Sequence, residues 1–316
     1  MSVIAQAGAK GRQLHKFGGS SLADAKCYLR VAGIMKEYSQ AGDMMVVSAA
    51  GSTTNQLISW LKLSQSDRLA AHQVQQSLRR YHTELIGGLL EPAAADTLIA
   101  AFIHDLERLA GLLDGGVSEA VYAEVVGHGE VWSARLMAAV LNQLGMEAAW
   151  LDARAFLRAE RAAQPQVDEG LSYPLLQQLM AQHPNKRLVV TGFISRNQAG
   201  ETVLLGRNGS DYSATQIGAL AGASRVTIWS DVAGVYSADP RKVKDACLLP
   251  LLRLDEASEL ARLAAPVLHA RTLQPVSASD IDLQLRCSYT PEQGSTRIER
   301  VLASGTGARI VTSHDD

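Results

Sequence analysis

The chain has 316 residues, of which 47% are hydrophobic and 20% charged, so it can bury a large core as one big domain or two moderate ones. Its 30 Lys and Arg against 32 Asp and Glu give a formal charge of -2, which argues against a general nucleic-acid binder and favours a small-molecule partner. Cys27, Cys247 and Cys287 form no C-x-x-C pair, so neither a disulfide framework nor a zinc site is indicated. No apolar stretch reaches the roughly 18 to 20 residues needed to span a bilayer, and residues 1–13 contain no signal-peptide core. We expect a cytoplasmic protein with no membrane partner.

The first predicted elements are a strand, a glycine turn and a helix. Residues 14–17 alternate as a strand does, and an amphipathic helix pattern follows the turn. Ser21 and Asp24 have the spacing of a capping box at the start of that helix.

The turn itself predicts a phosphate site. Gly18 and Gly19 would let the backbone approach an anion, and the free N–H groups of the helix start would point at it. Lys16 would add a full positive charge. The alternative is a tight turn beside a solvated lysine, and no Walker or dinucleotide fingerprint decides between the two.

Further strand-like runs alternate with longer helical patterns. These runs are residues 44–47, 148–151, 188–191 and 226–229. The alternation is typical of a largely parallel, buried sheet with helices on both faces. Residues 54–144 show little strand character, and we expect their helices to form a lobe beside the sheet.

Two stretches in the first half could contact a polar substrate. Residues 48–55, rich in Ser and Thr, follow a predicted strand, and ligands of open α/β sheets bind at the carboxyl ends of strands. The alternative is a loop that caps a helix beginning near Asn55. Residues 127–130 predict the start of another helix, with Glu130 in its first turn, where it could accept from a substrate ammonium or simply complement the helix dipole. We interpret His128 as structural, because no partner lies at metal-ligand spacing.

Two stretches in the second half carry cations and turn residues. Residues 206–213 place Arg207 in a glycine-rich turn, where it could grip a carboxylate, and Ser210 or Asp211 is predicted to cap the next helix. The alternative is a helix cap beside an exposed arginine. Residues 229–241 follow a predicted strand and would suit a nucleotide through an aromatic flank and a cation. Their alternative role is plain turn formation.

In combination, these stretches resemble the amino acid kinase family, and within it the aspartokinases. Lys-Phe-Gly-Gly-Ser-Ser at 16–21 and Gly-Arg-Asn-Gly-Ser-Asp-Tyr at 206–212 carry the resemblance, together with residues 192–194, and the motifs match in order from about 15 to 290. The sequence is most similar to the kinase portion of bifunctional aspartokinase/homoserine dehydrogenases of the methionine-linked type. The resemblance implies a three-layer αβα sandwich with a mostly parallel sheet and a helical substrate-side lobe. Its first half would bind the amino acid and its second half the nucleotide.

The implied activity is transfer of the γ-phosphoryl group of ATP to the β-carboxylate of L-aspartate, giving 4-phospho-L-aspartate, the first step towards lysine, methionine and threonine. The acceptor carboxylate has a pKa of about 3.9 and needs no general base. Mg²⁺ would be held mainly through ATP phosphates. The alternatives are another family member, acting on glutamate or acetylglutamate, and a catalytically weak binding module. A homodimer is plausible by family analogy only.

The resemblance also implies roles for particular residues. The implied catalytic residues are Lys16 and Asp211. The implied ATP contacts are Lys16, Gly18, Gly19, Ser20, Ser230, Asp231, Tyr236 and Arg241. The implied aspartate contacts are Ser48, Thr54, Glu130, Phe193, Arg207, Ser210 and Asp211, and no residue is assigned as a dedicated metal ligand.

The chain departs from the family pattern at one position. Pro266 stands where a lysine associated with the nucleotide phosphates is typical, so another cation would take over or ATP use would be altered. We expect a kinase domain over residues 12–300. Residues 301–316 are expected to be a linker or the truncated start of a regulatory domain, with a strand-like run at 308–311 and a fused homoserine dehydrogenase beyond.

Overall fold

The computed structural model describes residues 11–263 and 268–300. The strands are β1 Gln13–Phe17, β2 Met44–Val47, β3 Ala148–Leu151, β4 Arg187–Thr191, β5 Ile194–Arg196, β6 Thr202–Leu204, β7 Arg225–Ser230, β8 Leu251–Arg253, β9 Asp282–Cys287 and β10 Ser295–Glu299. The helices are α1 Ala25–Tyr38, α2 Thr53–Ser64, α3 Arg68–Gly87, α4 Pro92–Asp114, α5 Glu119–Gln143, α6 Glu169–Gln182, α7 Gly209–Leu220, α8 Leu254–Arg262 and α9 Ala270–Ala278. Pro266 and residues 308–311 lie outside the described ranges.

Eight strands form one sheet in the order β3-β4-β2-β1-β7-β9-β10-β8. The strands from β3 to β9 in this order are parallel neighbours, whereas β10 pairs antiparallel with β9 and parallel with β8. β5 and β6 form a separate antiparallel hairpin. The predicted, mostly parallel sheet is confirmed.

Helices pack on both faces of the sheet, which explains why a central strand such as β2, Met44–Val47, consists entirely of buried apolar residues. In β2, Met45 and Val47 belong to one buried cluster, and Met44 and Val46 belong to the other. The first cluster includes side chains of α1–α5 and the second includes side chains of α6–α9. Helices therefore cover both faces, which gives the three layers of an αβα sandwich.

The helices predicted as a lobe are α2–α5, and they share one buried core with a face of the sheet. α5 packs directly against β2, β3 and β4, while α2 and α4 pack against α5. Within residues 11–263 and 268–300, no helix has the length and apolar character that crossing a membrane requires.

Two helix starts differ from the prediction. Asp24 is the N-cap of α1 and accepts from the Cys27 N–H at 2.8 Å, whereas Ser21 lies in a short 3₁₀ helix, Gly19–Leu22, with its Oγ 2.9 Å from the Ser288 Oγ. The prediction that Ser21 and Asp24 form a capping box was therefore wrong. α5 begins after Ser118, so residues 127–130 lie in its middle and the prediction that they open a helix was also wrong.

Candidate active site

The parallel register brings the predicted loops to one edge of the sheet. Phe17, Val47 and Thr191 end three neighbouring strands in register. Trp229, near the end of β7, pairs with Phe17 on the other side. The segments that follow these strands therefore lie side by side, as expected for a ligand site in an open α/β sheet.

A cavity of about 310 Å³ opens at this edge. It is lined by Lys16, Gly18, Gly19, Ser48, Ala49, Gly51, Thr54, Glu130, Phe193, Gly206, Asn208, Gly209, Ser210 and Asp211. The lining thus combines residues from β1, α2, α5, α7 and four loops that are far apart in the sequence.

The charged centre of the cavity is an ion pair between Lys16 and Asp211. Lys16 lies on β1 and is 8% exposed, and Asp211 lies in the first turn of α7. Asn208 is the N-cap of α7, with φ 52°, so the prediction that Ser210 or Asp211 caps this helix was wrong. Asp211 is instead free to neutralise Lys16 from a helix N-terminus, where a carboxylate is favoured.

The glycine turn after β1 is shaped by the loop after β2. A Cβ at Gly19 would lie 2.8 Å from the Ala49 carbonyl oxygen, so only glycine fits this approach. The Gly51 N–H also donates to the Gly19 carbonyl at 3.0 Å. Because Asp24 already caps α1, the phosphate hypothesis now depends on Lys16 and this turn rather than on the α1 terminus.

Glu130 is the buried acid of the cavity, at 3% exposure. Its burial raises the pKa of the carboxyl to about 8, against the opposing effects of the Ala49 N–H and the Lys16 charge. Among the described residues, its Oε2 has no hydrogen-bond partner. A buried acceptor in this state can receive a donor from a ligand.

Two glycines of α5 allow this close packing. A Cβ at Gly127 would lie 2.6 Å from the Ile194 Cγ2, and one at Gly129 would lie 2.7 Å from the Ala49 Cβ. Glycine inside a helix costs about 1 kcal/mol relative to alanine, so the close approach of α5 to β5 and to the loop after β2 outweighs helix propensity here.

Two residues at the site have positive φ without being glycine: Phe193 at 66° and Asn208 at 52°. The Phe193 ring lies against Gly209, where a Cβ would come within 2.7 Å of its Cδ2. Such backbone conformations cost about 1–3 kcal/mol for many residues and cluster at functional sites. The cavity wall near α7 is therefore held in a specific, non-relaxed shape.

Several predicted contacts lie outside the cavity lining: Ser20, Arg207, Ser230, Asp231, Tyr236 and Arg241. Arg207 is exposed beside the lining residues Gly206 and Asn208. Arg241 is paired with Asp239 at 3.1 Å, with its side chain 86% exposed. The structure thus gathers most of the predicted aspartate contacts with Lys16 and the glycine turn. Four of the predicted ATP contacts, Ser230, Asp231, Tyr236 and Arg241, lie at the end of β7 or on the segment that follows it.

Sequence reasoning missed five lining residues: Ala49, Gly51, Gly206, Asn208 and Gly209. All five lie inside stretches that the sequence had singled out, but their small or amide side chains carried no chemical signal. The signal was the density of glycines itself, because each marks a close backbone approach.

His128 has a structural role, as predicted. Its Nδ1 is 2.9 Å from the Glu124 carbonyl oxygen and its Nε2 is 2.8 Å from the Arg108 Nη2. Because a carbonyl can only accept, Nδ1 donates and Nε2 accepts, and burial lowers the pKa of the ring so that it stays neutral.

The fold places a lysine, a glycine turn and a polar cavity together at one edge of the sheet. This arrangement is what a small-molecule kinase requires. The chain belongs to the amino acid kinase family, whose sequence model matches residues 11–287.

Individual relatives narrow the comparison. The chain is 88% identical over its whole length to bifunctional aspartokinase/homoserine dehydrogenase 2 of Escherichia coli K12 and covers 39% of that protein. Two solved structures of E. coli aspartokinase III superpose on it. The complex with lysine and aspartate has a TM-score of 0.84 at 30% identity, covering 92% of this chain and 65% of that one. The complex with aspartate and ADP has a TM-score of 0.82 at 29% identity, covering 91% and 65%. The chain therefore spans less than two thirds of each of these relatives.

Proposed function

We propose that this chain is an ATP-dependent aspartate kinase that phosphorylates the β-carboxylate of L-aspartate. The observation that carries the proposal is the cavity that pairs Lys16 with Asp211 on one side and presents the buried, unsatisfied Glu130 on another. The two features match the two demands of the reaction, since one site must hold phosphate charge and the other a substrate ammonium.

The amino-acid side of the proposal rests on Glu130. Its Oε2 would accept from the α-ammonium of aspartate, and this contact disfavours acylated substrates, whose nitrogen carries no charge. Ser48 and Thr54 line the same cavity and would bind the substrate's polar groups. Arg207, exposed beside the lining, would turn inwards to hold a substrate carboxylate.

The phosphoryl side rests on Lys16. Aspartate is already ionised at neutral pH, so catalysis consists of aligning two anions and neutralising the charge on the transferred group. Lys16 supplies that charge, and the glycine turn brings the backbone close to the phosphates. In this proposal Ser20, Ser230, Asp231, Tyr236 and Arg241 contact the rest of the nucleotide.

Mg²⁺ belongs to the proposal as the partner of ATP. Among the described residues, no group of three His, Cys, Asp or Glu side chains could hold a metal ion by itself. We propose that Mg²⁺ binds mainly through the phosphate oxygens of ATP and water, with Asp211 or Asp231 orienting that water. Its charge would offset that of the phosphates.

The relatives support the choice of substrate. One superposed aspartokinase was solved with aspartate, the proposed acceptor, and ADP, the proposed nucleotide product. The 88% identical relative is a fusion with a homoserine dehydrogenase, so we propose that this kinase region serves the same biosynthetic branch in a fused protein. A homodimer remains a prediction.

An ADP-release assay with Mg²⁺-ATP tests the proposal. We expect release that depends on L-aspartate, with much weaker release for L-glutamate or N-acetyl-L-glutamate. Equal or better turnover of either of the latter compounds would point to another activity of the family. Tight ATP binding without turnover on any of them would point to a binding module.

A further inference from the structure

Helix α3 reaches the turn after β1 through Tyr81. The Tyr81 Oη donates to the Ala23 carbonyl at 3.0 Å, just after the 3₁₀ helix Gly19–Leu22. The same hydroxyl lies 3.1 Å from where a Cβ at Gly51 would be, so it also packs against the neighbouring loop. Tyr81 therefore sits where the two cavity loops meet.

The next residue of α3, His82, reaches the loop after β2. Its Nε2 lies 3.1 Å from the Thr53 Oγ1, and that hydroxyl also lies 2.6 Å from the Ala50 carbonyl oxygen. The hydroxyl has one proton, which goes to the carbonyl, so His82 must donate from Nε2. Burial lowers the pKa of His82 to about 3, so this neutral tautomer persists at physiological pH.

Aromatic neighbours fix the His82 ring. It lies between Phe102, at 5.0 Å between ring centroids, and Trp132, at 5.1 Å, and meets Tyr81 edge-on at 4.9 Å. The donor is therefore rigid, and Thr53 is adjacent to the cavity residue Thr54. None of the described lining residues comes from α3, so any influence of α3 on a ligand passes through the loops.

We propose that Tyr81 and His82 are positioning residues for phosphoryl transfer, each holding one of two neighbouring loops that line the cavity, the turn after β1 and the loop after β2. Tyr81 holds the glycine turn on the phosphate side, and His82, through Thr53, holds the loop on the amino-acid side. This inference rests on the proposed function for its kinetic consequence but not for its structural one. The link between the loops, Gly51 N–H to Gly19 carbonyl at 3.0 Å, is left intact when either residue is changed.

Steady-state kinetics of point variants in the full chain test which loop each residue holds. Tyr81→Phe should raise KM for ATP and lower kcat, each about three- to tenfold, the range expected for one hydrogen bond, with KM for aspartate nearly unchanged. Thr53→Val should instead raise KM for aspartate by a similar factor and leave KM for ATP nearly unchanged. His82→Leu should behave like Thr53→Val, whereas His82→Gln keeps a donor and should restore most of the affinity.

Tyr28→Phe is the matched control. The Tyr28 Oη contacts the Ser133 Oγ at 2.9 Å in the same buried core, and neither residue belongs to the described lining of the cavity. It should lower Tm without a split between the two KM values. If Tyr81→Phe and Thr53→Val also lower Tm but leave both KM values unchanged, then Tyr81 and His82 only stabilise the fold, and the proposal is overturned.

Hydrogen exchange separates this proposal from the proposed function. Tyr81→Phe should speed exchange of amides in residues 18–23, and Thr53→Val in residues 50–54, whether or not aspartate is the substrate. Unchanged local exchange in both variants would overturn the positioning roles even in an active enzyme. Faster local exchange in these variants, in a protein that is inactive on aspartate, would support the positioning roles of Tyr81 and His82 and reject only the substrate assignment.

Discussion

Replacing Glu130 with glutamine should make the protein more stable while weakening aspartate binding. Burial raises the pKa of this carboxyl from its ordinary value of 4.5 to about 8. Between these pH values the folded protein holds a proton that the unfolded chain has lost, so the free energy of unfolding falls as pH rises. The contribution of Glu130 is fully present below pH 4.5 and is lost as pH rises towards 8.

The magnitude follows from the size of the shift. One pKa unit corresponds to about 1.4 kcal/mol, and pH 7 lies 2.5 units above 4.5, so the cost at neutral pH is on the order of 3 kcal/mol. Glutamine has nearly the same shape and cannot ionise. The free energy of unfolding of Glu130→Gln should therefore exceed that of wild type by a margin that grows with pH. Between pH 5 and 8 this margin should grow by no more than about 1.4 kcal/mol per pH unit.

Urea unfolding of both proteins at pH 5, 6, 7 and 8 measures this difference. Glu119→Gln, an exposed change at the start of the same helix, is the control and should give a difference that hardly varies above pH 5. A Glu130→Gln difference that is flat with pH, or that turns destabilising as pH rises, would refute a buried carboxyl with a raised pKa.

Kinetics give the second half of the same prediction. Loss of the charged acceptor should raise KM for aspartate about ten- to hundredfold in Glu130→Gln, in line with hydrogen bonds to charged groups. In wild type, KM for aspartate should fall as pH rises towards 8, because ionised Glu130 binds the ammonium. Parallel pH profiles for the two proteins would contradict this role.

Three further substitutions test the rest of the site. Lys16→Ala should lower kcat far more than it raises KM for aspartate, and equal losses would argue against a transition-state contact. Gly129→Ala places a methyl group 2.7 Å from the Ala49 Cβ and should cost about 1–3 kcal/mol in denaturant unfolding, whereas Gly111→Ala, with open space around it, should be neutral or stabilising. Arg207→Ala should raise KM for aspartate with little change in KM for ATP, and the opposite pattern in initial-rate kinetics would place Arg207 on the nucleotide.

The sheet could be predicted where strands are uniformly apolar. β2 and β3 were predicted with their observed bounds, because both consist entirely of apolar residues, although Trp150 of the edge strand β3 is 37% exposed. β9 was missed, although residues 282–287 alternate half-buried and buried positions, because polar side chains interrupt its apolar run. Periodicity of two was the available signal.

The helix starts failed for a tertiary reason. Gly127 and Gly129 were interpreted as marking the start of a helix, yet both lie within α5. Glycine is present at these positions because β5 and the loop after β2 approach the helix closely. Local propensity cannot report such an approach. The same limit hid the roles of Tyr81 and His82, since α3 is distant in sequence from both loops and only the folded chain brings them together.

Much of the cavity lining could be predicted from the sequence, because ligand sites in open α/β sheets form where parallel strands end. The stretches around Lys16, Ser48 and Asp211 were predicted to lie at strand exits or a helix start, and the structure brings all three into one cavity. The ion pair between Lys16 and Asp211 could not be predicted, because it forms only when the folded chain packs α7 against β1.

Hydroxylamine trapping of an acyl phosphate tests the central proposal most directly. With Mg²⁺-ATP, L-aspartate and hydroxylamine, the protein should form β-aspartyl hydroxamate in an amount equal to the ADP released, and Lys16→Ala should abolish nearly all of it. ADP release without hydroxamate, or no product in a folded protein that binds both ATP and aspartate, would contradict phosphorylation of the β-carboxylate.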